Sequence, residues 1–344
     1  MLIVLWTILC HCHNAHFIQE PLPEFRINLN APSNEKFKAP NTYFKSHIQI
    51  RTAAILKKIP VFDQVMLYFF ESVINFMHPN YYEEIKALSS IVEIPTYKLL
   101  AVDYINEELA ACTSMCVKHP DGHIMHGRNL DTPWLSILRD TAYIAHFFQE
   151  DDYVYSAVIF AGFTGIYTGM RPGKFSLSID LRRLNGDGPI FKNMLNILRG
   201  LKQDSWLLRE VLTTARSYGE AVDIISTAYT AATDYFIVCG LNGNEGTVIT
   251  KNRNMLVNSR ELTNESWYII QTNKDHFDGI YDLRYKAAIT RLESVGNKNI
   301  NAESLRNDVM LIVYPAQHDT VYTTTMIPAK NSFDAIKTTF TNIK

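Results

Sequence analysis

A cysteine, an arginine and an aspartate that could act together lie near the middle of the chain: Cys112, Arg128 and Asp131. The residues between them predict two strands, 112–118 and 123–127, joined by the turn His-Pro-Asp-Gly. Such a hairpin would bring Arg128 back beside Cys112. A guanidinium close to a thiol favours the thiolate and lowers the thiol pKa. The pattern therefore indicates a candidate nucleophile, with Asp131 as an anion that could hold Arg128 or an ammonium group.

Two other interpretations fit the same segment. One is a zinc site built from the cysteines and histidines of this region: Cys112, Cys116, His119, His123 and His126. However, C-x3-C-x2-H-x3-H-x2-H matches no standard ligand spacing, and a hairpin scatters these groups over both faces. The other is a pair of buried cysteines that behave as small apolar residues, beside a surface ion pair. Spacing alone favours these buried cysteines over a nucleophile, and we expect no metal and no cofactor.

Composition limits the class of protein. The chain has 344 residues with 33 Lys+Arg against 35 Asp+Glu, a net charge of −2, which gives no electrostatic argument for binding nucleic acid. At 47% hydrophobic and 20% charged residues it is a folded protein of one large or two moderate domains. Three of its five cysteines follow the first dozen residues, too few for a disulfide scaffold and odd in number.

The N-terminus resembles a secretory signal. Residues 1–10 (MLIVLWTILC) form an apolar run too short to span a bilayer, and Ala15 is a small residue suited to precede a cleavage point. We therefore expect a signal peptide over 1–15 and a lysosomal or secreted protein. The sole N-x-[ST] sequon, at Asn264, is a candidate glycosylation site on that route.

The chain changes character near residue 111. Residues 16–45 are polar and contain several prolines, which predicts an extended segment, and 44–108 are helical in pattern. No β pattern appears before residue 111. From Cys112 onward, many antiparallel strands and a helical insert are predicted, so the fold class is α+β. Predicted strands cover 141–148, 153–160, 175–181, 235–239, 247–250, 267–271 and 321–326, and predicted helices cover 193–201, 205–215 and 218–228.

One predicted helix, 61–77 (VFDQVMLYFFESVINFM), is unusually apolar for a surface helix. It could be a core helix, or a helix that docks on a membrane surface. The sequence leaves both interpretations open.

The segment CTSMCVKHPDGHIMHGRNLD (112–131) resembles the start of the catalytic subunit in the acid ceramidase and N-acylethanolamine-hydrolysing acid amidase family of N-terminal nucleophile hydrolases. The family has Cys-Thr-Ser, then Gly-His, then His-Gly-Arg-Asn-aliphatic-Asp. Further matching motifs follow in family order: 160–165 (FAGFTG), 168–169 (TG), 172–176 (PGKFS), 248–253 (VITKNR), 271–273 (QTN) and 321–324 (VYTT). Upstream, 23–29 (PEFRINL) is a looser match. The resemblance implies an αββα sandwich and favours the nucleophile at Cys112.

The resemblance also implies that the precursor cuts itself between Ala111 and Cys112. It would give a helical α subunit, 16–111, and a catalytic β subunit, 112–344, held together as a heterodimer. Cutting would free an α-amine on Cys112 with a reference pKa near ~8. That amine can take the thiol proton and later return a proton to the leaving group.

Carried over residue by residue, the resemblance gives four residues a role beside Cys112. Arg128 matches the arginine near the nucleophile, and Asp131 matches the aspartate that positions the α-amine. Asn273 matches the asparagine that helps to hold the oxyanion. Arg284 matches a family arginine, although the loop before it is shorter here.

Other positions are expected to support the site. Glu107 resembles a glutamate shortly before the cleavage point, and Gly162 and Gly165 would allow a tight backbone path near the substrate cleft. One position departs from the family, because Leu181 stands where the family has a glutamate. Asp180 could supply the missing carboxyl, although neighbours on a strand point to opposite faces.

The resemblance implies hydrolysis of a fatty-acid amide, with an N-acylethanolamine as the first candidate. The segment 128–133 and the lack of the extra cysteines of ceramidases favour this over the alternative, hydrolysis of ceramide. A catalytically inactive homologue that binds lipid is the third interpretation, supported by Leu181 alone. The substrate is apolar, so association with a membrane surface is a further expectation.

Overall fold

The computed structural model describes residues 16–57, 61–107, 111–132, 138–182, 189–279, 281–313 and 320–341. The predicted signal peptide therefore lies outside the described residues. Fourteen strands are found in the described residues: β1 (His16–Pro21), β2 (Glu24–Asn28), β3 (Ala111–Lys118), β4 (Ile124–Asp131), β5 (Ala142–Gln149), β6 (Asp152–Phe160), β7 (Thr168–Arg171), β8 (Phe175–Leu181), β9 (Asp234–Cys239), β10 (Gly246–Asn252), β11 (Met255–Glu261), β12 (Tyr268–Gln271), β13 (Thr320–Ile327) and β14 (Ser332–Thr341).

The strands form two sheets. The six-stranded sheet has the order β1-β14-β13-β4-β3-β12, and the eight-stranded sheet has the order β11-β10-β9-β8-β7-β6-β5-β2. Neighbouring strands are antiparallel except for β2 and β5, which are parallel. The sheets face each other through β3 and β4 on one side and β8 and β9 on the other. Strands β4 and β8 are buried along their whole length, because each is covered on both faces.

Helices cover the outer faces of both sheets. They are α1 (Ser33–Lys36), α2 (Lys38–Tyr43), α3 (Lys45–Leu56), α4 (Val61–Met77), α5 (Pro79–Val92), α6 (Thr96–Glu107), α7 (Pro189–Leu198), α8 (Asp204–Thr214), α9 (Tyr218–Thr227), α10 (Leu283–Val295) and α11 (Ala302–Ser304). Helix α8 packs on β6, β7 and β8 of the eight-stranded sheet, and α10 packs on β12 of the six-stranded sheet. The expected αββα sandwich is confirmed.

The part before residue 111 is not purely helical. The expectation of no strand in this part was wrong, because β1 pairs with β14 at the edge of one sheet and β2 pairs with β5 at the edge of the other. Edge strands tolerate prolines such as Pro21, which masked the signal in the sequence. The six helices α1–α6 follow these two strands.

Buried polar and aromatic contacts tie these helices to the sandwich. Glu84 of α5 makes an ion pair with Arg209 of α8, with one hydrogen bond of 2.9 Å, and a second ion pair with Lys36 at 2.7 Å. Tyr81 stacks on Trp206 with ring centroids 4.3 Å apart. The part before Cys112 and the part after it therefore pack as one folding unit.

Helix α4 has a buried side and an exposed aromatic side. The buried side fits the core interpretation, and docking on a membrane through the exposed side stays a prediction. Phe70 and Ile74 are 4% and 1% exposed and belong to the core. In contrast, Tyr68, Phe69 and Phe76 are 63%, 63% and 84% exposed. None of the helices in the described ranges is long and apolar enough to cross a bilayer.

A disulfide joins the two sheets. Cys116 on β3 and Cys239 on β9 are bonded, with their Cα atoms 5.7 Å apart. Both were expected to be packed strand residues, and both are fully buried, but their bond was not foreseen. Of the three cysteines that the structure describes, Cys112 alone is free.

Candidate active site

The hairpin of β3 and β4 places a guanidinium on the thiol. Arg128 lies opposite Ser114 in the register, and its side chain reaches along the sheet so that Nη2 donates to the Sγ of Cys112 at 3.2 Å. Both side chains are fully buried. The juxtaposition expected from the sequence is therefore present.

The predicted lowering of the thiol pKa by Arg128 is present, but burial outweighs it in the uncut chain. Burial raises the pKa of the Cys112 thiol to about 12, and the Arg128 guanidinium offsets only part of this effect. The carboxyls of Asp180 and Asp131 add to the rise. The sulfur is thus protonated at neutral and acid pH, and a nucleophilic role requires a nearby base.

Asp180 supplies a carboxyl to Arg128 from the facing sheet. Its Oδ1 forms an ion pair with Nη1 of Arg128 and accepts a 2.7 Å hydrogen bond from the hydroxyl of Ser114. Burial raises the pKa of Asp180 to about 6, against the opposing effect of Arg128. The neighbouring Leu181 is 6% exposed, and its carbonyl accepts from the side chain of Asn273 at 2.6 Å. The carboxyl next to the guanidinium therefore comes from position 180.

Asn273 and Arg284 hold the backbone of Cys112. The Cys112 nitrogen donates to Oδ1 of Asn273 at 2.9 Å. Arg284 donates from Nη2 to the same Oδ1 at 2.6 Å and from Nη1 to the Cys112 carbonyl oxygen at 2.6 Å. In the uncut chain, Asn273 thus contacts the nitrogen of Cys112.

Asp131 lies on the strand next to Ala111, the residue that precedes Cys112. In the register of β3 and β4 it lies opposite Ala111. Its Oδ1 accepts a 2.6 Å hydrogen bond from Thr320, and its Oδ2 lies 3.4 Å from Nη1 of Arg284. Burial raises the pKa of Asp131, while Arg284 works in the opposite direction.

A second ion pair anchors the loop that carries Asn273, and the sequence did not reveal it. Arg182 donates two 2.7 Å hydrogen bonds from Nε and Nη2 to the carboxyl of Asp275. Tyr235 donates to the same carboxyl at 2.6 Å. The position of Arg182 directly after Asp180 and Leu181 was the available signal, because it is the first residue after β8, the strand that packs against β3.

The two glycines lie away from the Cys112 contacts. Gly162 has a φ of +85°, its nitrogen donates to Asn41 at 2.6 Å, and a Cβ there would collide with Arg51. A Cβ on Gly165 would collide with Ser205. Both positions require glycine for close packing, and their place beside a substrate cleft stays a prediction.

Two other expected positions are Glu107 and Asn264. Glu107 is the last residue of α6, and its side chain lies outside the described residues. Asn264 is exposed and accepts a 3.0 Å hydrogen bond from Asn244, so a modifying enzyme can reach its sequon.

The chain has two facing sheets with helices on both outer faces, and a buried cysteine lies near the start of a central strand. These features define the N-terminal nucleophile hydrolase class. Relatives agree with this class. An N-acylethanolamine-hydrolyzing acid amidase of Caenorhabditis elegans is 28% identical over 88% of this chain and 88% of its own length. An acid ceramidase of Pan troglodytes is 32% identical over 76% of this chain and 70% of its own.

A solved structure points the same way. The Caenorhabditis elegans N-acylethanolamine-hydrolyzing acid amidase ortholog superposes with a TM-score of 0.58 at 31% identity, covering 63% of this chain and 93% of that one. No protein-family model matches the chain. The chain belongs to the family of N-acylethanolamine-hydrolysing acid amidases and acid ceramidases.

Proposed function

We propose that the chain cuts itself between Ala111 and Cys112 and then hydrolyses the amide bond of fatty-acid amides, preferentially N-acylethanolamines. The observation that carries the proposal is the setting of Cys112. Its sulfur lies 3.2 Å from a guanidinium nitrogen of Arg128, and its own nitrogen is held at 2.9 Å by Asn273. One residue would then supply both the nucleophile and, after cutting, the base.

The chemistry follows from the protonated thiol. In the first step the Cys112 sulfur attacks the Ala111 carbonyl, the peptide C–N bond breaks as the thiol proton passes to the leaving Cys112 nitrogen, and water hydrolyses the resulting thioester to give back the thiol and a carboxyl group on Ala111. The freed α-amine has a reference pKa near ~8 and can accept the thiol proton. The thiolate then attacks the substrate carbonyl, the substrate amine leaves with the proton held by the α-ammonium, and water releases the fatty acid.

The surroundings of Cys112 suit an acyl chain. Cys112 belongs to an apolar cluster that joins both sheets to helices α3 and α6, and whose members include Ile55, Val102, Leu130, Phe160 and Tyr322. An aliphatic chain gains free energy when such side chains replace water around it. Relatives named for ethanolamides and for ceramides both match, so ceramide hydrolysis is the second candidate.

The two products would stay together as a heterodimer. Residues 16–111 contribute an edge strand to each sheet and the buried ion pair of Glu84 with Arg209. The apolar N-terminal run directs the chain, in this proposal, to the lysosome or out of the cell, with a glycan on Asn264. We also place the exposed aromatic side of α4, with Tyr68, Phe69 and Phe76, at a membrane surface where the substrate resides.

Intact-mass spectrometry of the secreted protein, before and after exposure to acidic buffer, tests the self-cleavage. We expect two chains, the larger beginning at Cys112, and a single chain for Cys112→Ala. The double variant Cys116→Ala/Cys239→Ala is the matched control, because it removes two buried cysteines and should still be cut. A panel of N-acylethanolamines and ceramides then ranks the substrates. A wild-type chain that stays uncut in acid contradicts the proposal and favours an inactive lipid-binding protein.

A further inference from the structure

A row of polar side chains runs between the sheets beside the site, and the proposed chemistry leaves most of it unused. Strand β8 presents Ser176, Ser178 and Asp180, which alternate and so share one face. From the opposite sheet, the ring of His126 on β4 sits between the two serines. All four side chains are fully buried, with 0% exposure.

The number of hydrogens that each group carries determines which group donates and which accepts in each hydrogen bond of this row. The Ser114 hydroxyl donates to Asp180 at 2.7 Å, and the Ser178 hydroxyl donates to Ser114 at 2.9 Å. Because each hydroxyl has one hydrogen, the oxygen of Ser178 must accept from Nε2 of His126, 3.0 Å away. Nδ1 of His126 is then an acceptor 3.0 Å from the hydroxyl of Ser176, which also has the more distant Cys239 carbonyl oxygen, at 3.4 Å, within reach. The hydrogens of His126, Ser178 and Ser114 therefore point toward Asp180.

The row keeps this direction in acid. Burial, together with the charge of Arg128, lowers the pKa of His126 to about 3, so the ring stays neutral and keeps Nδ1 as an acceptor. The Oδ2 atom of Asp180 has no hydrogen-bond partner. A proton taken up there would leave the contacts of Oδ1 with Ser114 and Arg128 intact.

We propose that His126 is a positioning residue, which acts through Ser178 and Ser114 to fix the carboxyl of Asp180 on Arg128, and thereby the guanidinium on the Cys112 sulfur. The inference rests on the proposed function, because it assigns Cys112 as the nucleophile. The inference assigns a positioning role to the histidine of the His-Gly-Arg-Asn motif. It also explains how a carboxyl at position 180 is held in place although position 181 is not a glutamate.

The test compares variants that break the row with one that preserves it. His126→Leu removes both ring nitrogens, and Ser178→Ala removes one hydroxyl with little change in volume. His126→Gln keeps one donor and one acceptor and is the rescue variant. His146→Leu and Ser156→Ala are matched controls, because these two residues form a similar pair, 2.6 Å apart, between β5 and β6.

We expect kcat to fall about tenfold in the two breaking variants, since a small displacement of reacting groups costs this much, while KM changes by less than about twofold. The acid limb of the pH–rate profile should move in the same variants, and His126→Gln should restore both. Alkylation of Cys112 in the cut protein, which needs no amide substrate, should slow in parallel. In ¹⁵N NMR spectra, the ring of His126 should carry its hydrogen on Nε2.

Folded variants with wild-type kcat, pH profile and alkylation rate would overturn the role of His126, as would a hydrogen on Nδ1. If the wild type hydrolyses no amide, the proposed function fails by itself. The alkylation rates and the NMR signal would then still decide whether the row positions the thiol.

Discussion

Asn273 accepts a 2.9 Å hydrogen bond from the backbone nitrogen of Cys112 while the bond before Cys112 is still intact. The same oxygen accepts from Arg284 at 2.6 Å. The nitrogen that would become the catalytic amine is therefore held in place before it is released. Cutting changes the charge and the hydrogen count of this nitrogen, but it does not require the nitrogen to find a new partner.

Replacing Asn273 should slow both self-cleavage and turnover. Asn273→Ala removes the acceptor of a buried N–H group and the contact that orients it, and we expect a rate loss on the order of 10². The half-time of cutting in acid, followed on denaturing gels, measures the first effect, and kcat of the cut fraction measures the second. Asn297→Ala is the control, since Asn297 donates to the carbonyl of Lys118 at the far end of β3. Cutting of a folded Asn273→Ala chain at the wild-type rate would contradict this role.

The carboxyl beside Arg128 should be needed at position 180 and not at 181. Asp180→Asn keeps the volume but weakens the pairing with Arg128, and we expect a fall in kcat of at least about tenfold. Leu181→Glu added to Asp180→Asn should not restore the rate, because neighbouring side chains on β8 point to opposite faces. Recovery in the double variant would show that the site accepts the carboxyl at the family position. Leu181→Glu alone reports whether the departure from the family alters processing or rate.

The stability of the chain should depend on the ionisation of Asp103. This residue is 3% exposed, and burial raises its pKa from 3.8 to about 7, although Arg51 works in the opposite direction. The folded state therefore binds the proton more tightly than the unfolded state. The stability linked to this proton is fully present below pH 3.8 and is lost as the pH rises through about 7.

Asp103→Asn should remove this dependence, since an amide cannot ionise. We expect the variant to equal the wild type in melting temperature in acid and to exceed it at neutral pH. Differential scanning fluorimetry across this range measures the difference, and Asp223→Asn, on the exposed part of α9, is the control. A difference between variant and wild type that does not change with pH would show that Asp103 keeps one protonation state.

The aromatic side of α4 should bind membranes. We expect Phe69→Glu/Phe76→Glu to abolish flotation of the cut protein with anionic liposomes while hydrolysis of a short, soluble amide continues. Phe70 is unsuitable for this test, because at 4% exposure a charge there would disrupt the core. Tyr229→Glu, at a side chain that is 66% exposed outside α4, is the control. Unchanged flotation of the double variant would show that α4 is not the docking surface.

Alternation in the sequence predicted the central strands well. Phe175–Leu181 alternates and was predicted with its observed bounds. Tyr235–Cys239 is a continuous apolar run, and its prediction differed from the observed strand by one residue. Helix α10 was missed, since its surface face is rich in charge and its apolar stripe is narrow. The disulfide was missed because nothing local pairs Cys116 with Cys239, 123 residues away.

For the site, the motif predicted which residues lie close together, but not how burial and neighbouring charges together shift their pKa values. Arg128, Asp131, Asn273 and Arg284 all lie within hydrogen-bond reach of Cys112 or of its direct partners. Arg128 lowers the thiol pKa as predicted, but burial raises it by more. Burial depends on the facing sheet, which comes from residues far along the chain. The spacing of residues along the chain does not show which distant segments pack against each other.

If the chain cuts itself, the two edge strands β1 and β2 would determine whether the enzyme can refold afterwards. Before cutting, they are joined to the rest of the sandwich by a continuous backbone, so refolding is a reaction of one molecule. After cutting, the same strands belong to a separate chain, and losing it would expose an edge of each sheet at once. Recovery would then require two molecules to meet at cellular dilution. Self-cleavage would thus make activation a one-way step, after which the enzyme survives only as long as it never fully unfolds.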